Sequence, residues 1–184
     1  LRSLPLCKER IENVRKFRAK STDAGTRKLA NFPTRFHVTN IPETDFMVIP
    51  EVASENRKYR PMEYVTVESA KHKLFSNLVK LMPNASYYHF GVLQSIVHMV
   101  WTNGICGYKD FRPRYSTDVV FNNFPWPTPT EKQKQAIEKT ALAIIAARNN
   151  YPECSFADLY DNDTMPDDLR EAHLRNDAAV RAAY

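Results

Sequence analysis

The segment 104–127, GICGYKDFRPRYSTDVVFNNFPWP, sets the strongest limits on how this chain can fold. It closes on Pro125, Trp126 and Pro127. A tryptophan between two prolines has little conformational entropy left to lose and a large area to bury, which predicts a structural anchor. Upstream of it, Lys109, Asp110, Arg112 and Arg114 fall within six residues. If that run is extended, Asp110, Arg112 and Arg114 share one face, because side chains alternate with a period of two. Between charge cluster and anchor, Thr117 to Asn122 alternates Val119 and Phe121 with polar neighbours and predicts a strand.

The rest of the chain reads as a frame for this segment. Pro5 to Lys20 predicts a helix, with Ile11, Val14 and Phe17 at helical spacing and Pro5 in the first turn. Its other faces carry Lys8, Arg10, Arg15, Lys16, Arg18 and Lys20, which either follow a phosphate backbone or solvate an outer face. Turn chemistry fills Ser21 to Thr34. Arg35 to Thr39, Asp45 to Pro50 and Glu63 to Val67 predict strands, and Val52 to Pro61 predicts a polar loop. Leu78 to Met82 is a short apolar run ending in a turn. His89 to Asn103 predicts one helix, stopped by Gly104. After Pro127 the pattern turns helical. Thr128 or Thr130 caps a helix from Glu131 to about Asn149, Ser155 caps a short turn, and Pro166 opens a last helix. The expected class is α+β: a small mixed β-sheet domain with flanking helices over 1–127, led by the helix of residues 1–20, then a C-terminal helical hairpin over 128–184.

Charge follows the same division. Residues 1–130 carry 19 Lys and Arg against 11 Asp and Glu, while residues 131–184 carry 7 against 10. The basic part coincides with the charged run, which is the electrostatic footprint of a nucleic-acid binder. The longest apolar stretch, Thr140 to Ala147, is about half a membrane span, so no membrane partner is expected. Cys7, Cys106 and Cys154 are widely spaced and odd in number, which predicts a reducing compartment and neither a disulfide framework nor a metal site. The four glycines make no turn that cradles a nucleotide or cofactor. Asn123 to Trp126 is similar to the Asn-Pro-Pro-aromatic loop of amino methyltransferases, but Phe124 stands where that loop needs proline. No catalytic residue is assigned. The first residue is Leu1 and the last, Tyr184, falls within a helical pattern, so both ends are expected to continue in a longer protein.

Four ordered segments carry a further signal: SENRKYRPM (54–62), YHFGVLQSIVHMVW (88–101), RYSTDVVFNNFPWP (114–127) and FADLYDNDTMPDDLREAH (156–173). Together they resemble the C-terminal part of MmeI-like proteins, which are large single-chain restriction–modification enzymes and related DNA methylases. The resemblance implies a DNA target recognition domain over 1–127 and a C-terminal helical domain over 128–184. It implies a parent chain that methylates adenine N6 with S-adenosylmethionine (SAM), with a nuclease in many members; SAM would bind there and no cofactor is expected here. Double-stranded DNA and the methyltransferase domain of the same parent chain are the implied partners, in a prokaryotic cytoplasm. The family layout places base readers at Asp110, Arg112 and Arg114, with Glu55 from the SENR motif and Asn77 beside Ser76. Pro113 departs from that layout.

The chemistry of these residues agrees. Arg bonds guanine O6 and N7, a carboxylate accepts from cytosine N4, and Asn pairs with adenine N6 and N7. Arg57, Lys58, Arg60 and Lys109 are expected to contact phosphates, which position without specifying. An exposed Asp110–Arg112 pair alone is a surface ion pair worth ~0–1 kcal/mol. The competing reading of the whole chain is a protein-interaction module that docks through its helical hairpin, with an incidental basic surface.

Overall fold

The computed structural model describes residues 4–36, 39–71 and 73–184. The chain forms two compact units, Leu1–Asn40 and Ile41–Tyr184. In the first, α1 (Pro5–Ala19) starts on its proline and fully buries none of its residues. The connector is more ordered than its turn residues suggest. Asp23 caps α2 (Ala24–Lys28) by accepting from the Thr26 amide at 2.5 Å, and a 3₁₀ turn (Leu29–Asn31) follows. Arg18, one of the α1 cations, donates to the carbonyls of Leu29, Phe32 and Arg35 at 3.3, 2.9 and 2.8 Å. It closes this unit on itself. Of the strand expected over Arg35 to Thr39, residues 37 and 38 lie outside the described residues, and the flanking ones are not in a strand.

The second unit is α+β. Its sheet has the order β2 (Glu63–Val65), β1 (Phe46–Pro50), β3 (Val79–Pro83), all antiparallel. The run FMVIP is apolar throughout because β1 is central and covered on both faces. Met47 and Ile49 enter the main core, while Phe46 and Val48 pack with Val65, Ala70 and Phe75 on the other side. α3 (Val67–Ala70) follows β2. The helix expected over His89 to Asn103 is two helices, α4 (Tyr87–Leu93) and α5 (Ile96–Ile105). The break is built: Ser95 caps α5 by accepting from the His98 amide, and buried Asp177 accepts from the Ile96 amide at 2.7 Å. Gly104 lies inside α5 rather than beyond its end.

The strand expected over Thr117 to Asn122 is instead a π-helical turn (Thr117–Phe121). Ser116 caps it, the Trp101 indole donates to the Val120 carbonyl at 2.9 Å, and Asn123 donates to the carbonyls of Asp118 and Val119. Side chains thus take the carbonyls that a neighbouring strand would have taken. Trp126 then packs against Phe124, His89 and Phe121, with ring centres 5.3, 5.6 and 6.1 Å away.

α6 (Glu131–Asn149) starts from a Thr130–Gln133 capping box, and α7 (Phe156–Leu159) from a Ser155–Asp158 one. α8 (Asp167–Arg181) carries Asp167 and Asp168 in its first turn, where the helix dipole favours negative charge. α6 and α8 pack on each other, but they also complete the core of the preceding domain. A methyl group on Gly91 of α4 would meet Ile137 of α6 at 2.6 Å, so the two helices close on a glycine. Residues from both sides of Pro127 share one apolar cluster, including Tyr59, Phe90 and Tyr115 with Ile144, Tyr160 and Leu169.

Two arginines lie in this core among the described residues, besides the buried Asp177. Arg60, expected at a phosphate, is only 1% exposed. It donates to the carbonyls of Pro50 at 2.9 Å and Pro113 at 3.2 Å, and it lies over the Tyr115 ring. Its role is therefore structural. Burial draws its pKa down to about 10, so it stays cationic at neutral pH. Arg148 donates to the Met62 carbonyl and the Tyr160 hydroxyl and lies over the rings of Phe90, Phe156 and Tyr160. Removing the Arg60 guanidinium leaves two carbonyls without this donor as well as a void. Arg60→Ala is expected to cost about 2–4 kcal/mol in a denaturant melt; a loss below half a kilocalorie would place the side chain outside the core.

His98 and His173 are fully buried. His98 shares a hydrogen bond with the Tyr115 hydroxyl at 3.0 Å, and His173 one with Tyr160 at 2.9 Å. Burial, and then Arg60, pushes His98 down to about 3; burial, and then Arg148, holds His173 well below its usual range. The folded state therefore binds fewer protons than the unfolded chain. Stability from these sites is complete above the unfolded value of ~6.5 and is lost as pH falls, by up to about 1.4 kcal/mol per pH unit for each histidine. Thermal melts should fall steeply between pH 6.5 and 4.5, before most unfolded carboxylates begin to protonate. A flat melting temperature across that interval would contradict the neutral, buried assignment.

Candidate nucleic-acid interface

The charged run folds as a hairpin. β4 (Gly107–Lys109) pairs with β5 (Arg112–Arg114) in the register Gly107↔Arg114, Tyr108↔Pro113 and Lys109↔Arg112. Asp110 and Phe111 form the loop, with Asp110 in the left-handed region at φ 58°. A loop this short needs a positive φ, and Asp tolerates that better than most residues. Arg112 and Arg114 lie on the solvent side of β5, and Pro113 between them is buried. Proline is tolerated on a strand of a two-stranded ribbon, and β5 bridges Val52 only at its far end, at Arg114. The expected single face thus holds for the two arginines, while Asp110 lies in the turn. It still reaches Arg112, with Oδ2 3.1 Å from Nη2, both side chains being more than half exposed.

The base of the hairpin is fixed by Glu51, a residue that sequence reasoning passed over. Its carboxylate accepts from Arg114 Nε at 2.7 Å and lies 3.1 Å from the Lys80 ammonium. Its amide donates to the Leu78 carbonyl at 2.8 Å, and its own carbonyl accepts from the Tyr115 amide at 2.7 Å. The Arg114 hydrogen bond, and then that of Lys80, holds the carboxyl below its ordinary pKa. Glu51 thereby joins the end of β1, the start of β3 and the hairpin. Asn77, exposed beside Leu78, sits at this junction. Among the described residues Arg114 is held through Nε alone, which leaves its terminal nitrogens available.

The SENR loop is held from another direction. Asn162 accepts from the Lys58 amide at 3.2 Å and donates to the Asn56 carbonyl, clamping the backbone on both sides of Arg57. Arg57 donates to the Ala157 carbonyl at 3.2 Å. Tyr59 donates to Asp177 at 2.7 Å and stacks on His173 with ring centres 4.1 Å apart. Glu55 and Lys58 stay exposed on this clamped loop, as does Lys109 on β4. The structure therefore joins Asp110 to Arg112, and Arg114 to the segment beside Asn77. Among the described residues, no hydrogen bond or ion pair links Glu55 to either group. Asn162 and Asp177 were also missed, since an Asn in a polar loop and an Asp in an acidic helix carry no sequence mark of what they hold.

The arrangement sets its charged groups at exposed edges. Among the described residues no cluster of His, Cys, Asp and Glu could hold a metal ion. It offers paired donors and acceptors on exposed edges of a rigid frame, which suits recognition.

Two family models match in succession: "MmeI, target recognition domain" over residues 1–128, and "MmeI, C-terminal domain" over residues 129–184. The chain is 36% identical over 184 residues to DNA methyltransferase A of Bacillus subtilis (strain 168), a match that takes in 100% of this chain and 20% of that protein. It also matches the structure of the Type IIL restriction–modification enzyme MmeI in complex with DNA, at a TM-score of 0.87 and 42% identity, over 100% of this chain and 24% of that one. The chain thus spans about a fifth to a quarter of the length of these relatives. With the two models matched end to end, the chain belongs to the MmeI family, as a target recognition domain followed by the C-terminal domain.

Proposed function

We propose that this chain is the sequence-reading part of a longer DNA methyltransferase of the restriction–modification type, and that it docks in the major groove of double-stranded DNA. The observation that carries the reading is the hairpin. A two-stranded ribbon fits that groove, and this one presents Asp110, Arg112 and Arg114 from a base fixed by Glu51. A non-glycine residue at positive φ costs local stability, and such residues collect at working sites. Asp110 occupies that position with an exposed carboxylate suited to cytosine N4. Asn77 and Glu55 are the further readers, and Arg57, Lys58 and Lys109 the phosphate contacts.

Adenine-N6 methylation belongs, in this reading, to the remainder of the longer chain, whose methyltransferase domain is the second partner. The four glycines lie in α2, α4, α5 and β4, and none forms a strand-to-helix turn of the kind that seats a nucleotide. SAM is likewise assigned, in this reading, to that remainder. The bacterial relative and the three unpaired cysteines support a prokaryotic cytoplasm. Among the described residues, no helix is long and apolar enough to cross a membrane.

Mapping methylated adenines in a genome that expresses the intact parent protein tests the reading. Arg112→Ala should change the methylated sequence or abolish methylation, at about 1–3 kcal/mol of discrimination. An unchanged map would remove Arg112 from the readers. Lys58→Ala should instead weaken binding to all duplexes alike and flatten the dependence on log salt by about one. If the intact protein shows no salt-dependent binding to any duplex, the interaction-module reading takes over.

A further inference from the structure

The hairpin tip carries one side chain that neither the ion pairs nor the core explain. Phe111 is 83% exposed, more than any other large apolar side chain among the described residues. Tyr108, the other exposed ring of the hairpin, is tethered back to α5 by its hydroxyl, 3.4 Å from the Asn103 carbonyl. Phe111 sits between Asp110 and Arg112, which pair with each other at 3.1 Å. Beneath it, Pro113 is buried and held through its carbonyl by Arg60. The ring is thus an apolar group carried at the outermost point of a supported hairpin, flanked by a carboxylate and a guanidinium. In the free protein it adds no stability, because its area leaves water only when something covers it.

We propose that Phe111 is a base-reading residue in its own right, and that it contacts the C5-methyl group of a thymine. This rests on the reading of the hairpin as a major-groove ribbon. The tip of such a ribbon reaches the floor of the groove. The edges of bases there are hydrogen-bond donors and acceptors, except for the thymine methyl, which an apolar side chain can recognise. Asp110 and Arg112 are matched to the polar edges of one base pair, and the ring between them is matched to the methyl of a neighbouring one. The hairpin then reads a composite of polar and apolar features within three residues, with thymine favoured over cytosine at the apolar position.

The test uses the intact parent protein and a duplex of its mapped recognition sequence, with each thymine replaced in turn by deoxyuridine, which lacks only the methyl. One position should respond, with affinity falling roughly fourfold, the equivalent of one buried methylene. Phe111→Ala should bind the unmodified duplex more weakly and lose the thymine-to-uracil difference at that position alone. Phe111→Leu should keep part of it. All three proteins should melt at the same temperature, since the residue is 83% exposed. No responding position in the wild type, or an equal response in Phe111→Ala, would overturn the proposal. So would a bright 2-aminopurine signal beside the contact, which would mark Phe111 as a wedge between unstacked bases. If the intact protein neither methylates nor binds any sequence selectively, the functional reading itself fails, and that outcome differs from every one above.

Discussion

The hairpin stands where it does because Arg60 is buried. Its guanidinium donates to Pro50 at the end of β1 and to Pro113 in the middle of β5, so one side chain ties the sheet to the hairpin. Burying a charge is costly unless its bonding capacity is met. Here two carbonyl dipoles and the Tyr115 face meet most of it, while Nε has no partner among the described residues. The same short segment is gripped again: Gln94 donates to the Arg60 carbonyl at 2.8 Å and Arg148 to the Met62 carbonyl at 2.7 Å. A run that looks like an exposed basic loop is the point where the sheet, the α4–α5 junction and α6 are joined through polar groups. Among the described residues no carboxylate pairs with Arg60 or Arg148, so these two links are directional without being ion pairs.

From this junction outward, the C-terminal third acts as part of the frame. It supplies Arg148 to the core, Asn162 and Ala157 to the SENR loop, and Asp177 to Tyr59 and the start of α5. The family models change at residue 128, yet the apolar core runs across that point without a gap. A helical hairpin with an acidic surface is unsuited to touching DNA. In the proposed reading it fixes a loop that does: Asn162 grips the backbone on both sides of Arg57, while the Ala157 carbonyl and Asp177 hold the Arg57 and Tyr59 side chains.

Local signals made much of the fold legible. Pro5, Thr130, Ser155 and Pro166 mark helix starts that formed as expected, since a cap is satisfied within its own turn. The misses come from partners distant in sequence. Ser95 splits one apparent helix because Asp177, far along the chain, accepts the freed amide. The β-branched run at 117–121 forms a π-helical turn because Trp101 and Asn123 occupy its carbonyls. The same holds for the site. Spacing was enough to put Arg112 and Arg114 on one side of a strand. Nothing in Arg57, Lys58 and Arg60 says which cation turns inward, because that depends on the carbonyls of Pro50 and Pro113. Glu51 reads as an ordinary polar residue after a strand until β3 and the hairpin arrive beside it.

The two carboxylate–arginine pairs at the hairpin differ in how firmly they hold, and the difference matters for recognition. Glu51 is largely shielded and serves two cations and two backbone groups, so its pair with Arg114 belongs to the frame. Asp110 and Arg112 pair in open solvent, where such a contact is worth ~0–1 kcal/mol and, in the proposed reading, is readily exchanged for a base pair. Asp110, Phe111 and Arg112 also contribute nothing to the core. In the proposed reading, substitution at the tip changes what is read at little cost to the fold, whereas substitution at Glu51 or Arg60 moves all the proposed readers of the hairpin at once. The molecule separates a replaceable edge from a fixed base within a single hairpin, and the separation follows from which of its charges are shielded from water.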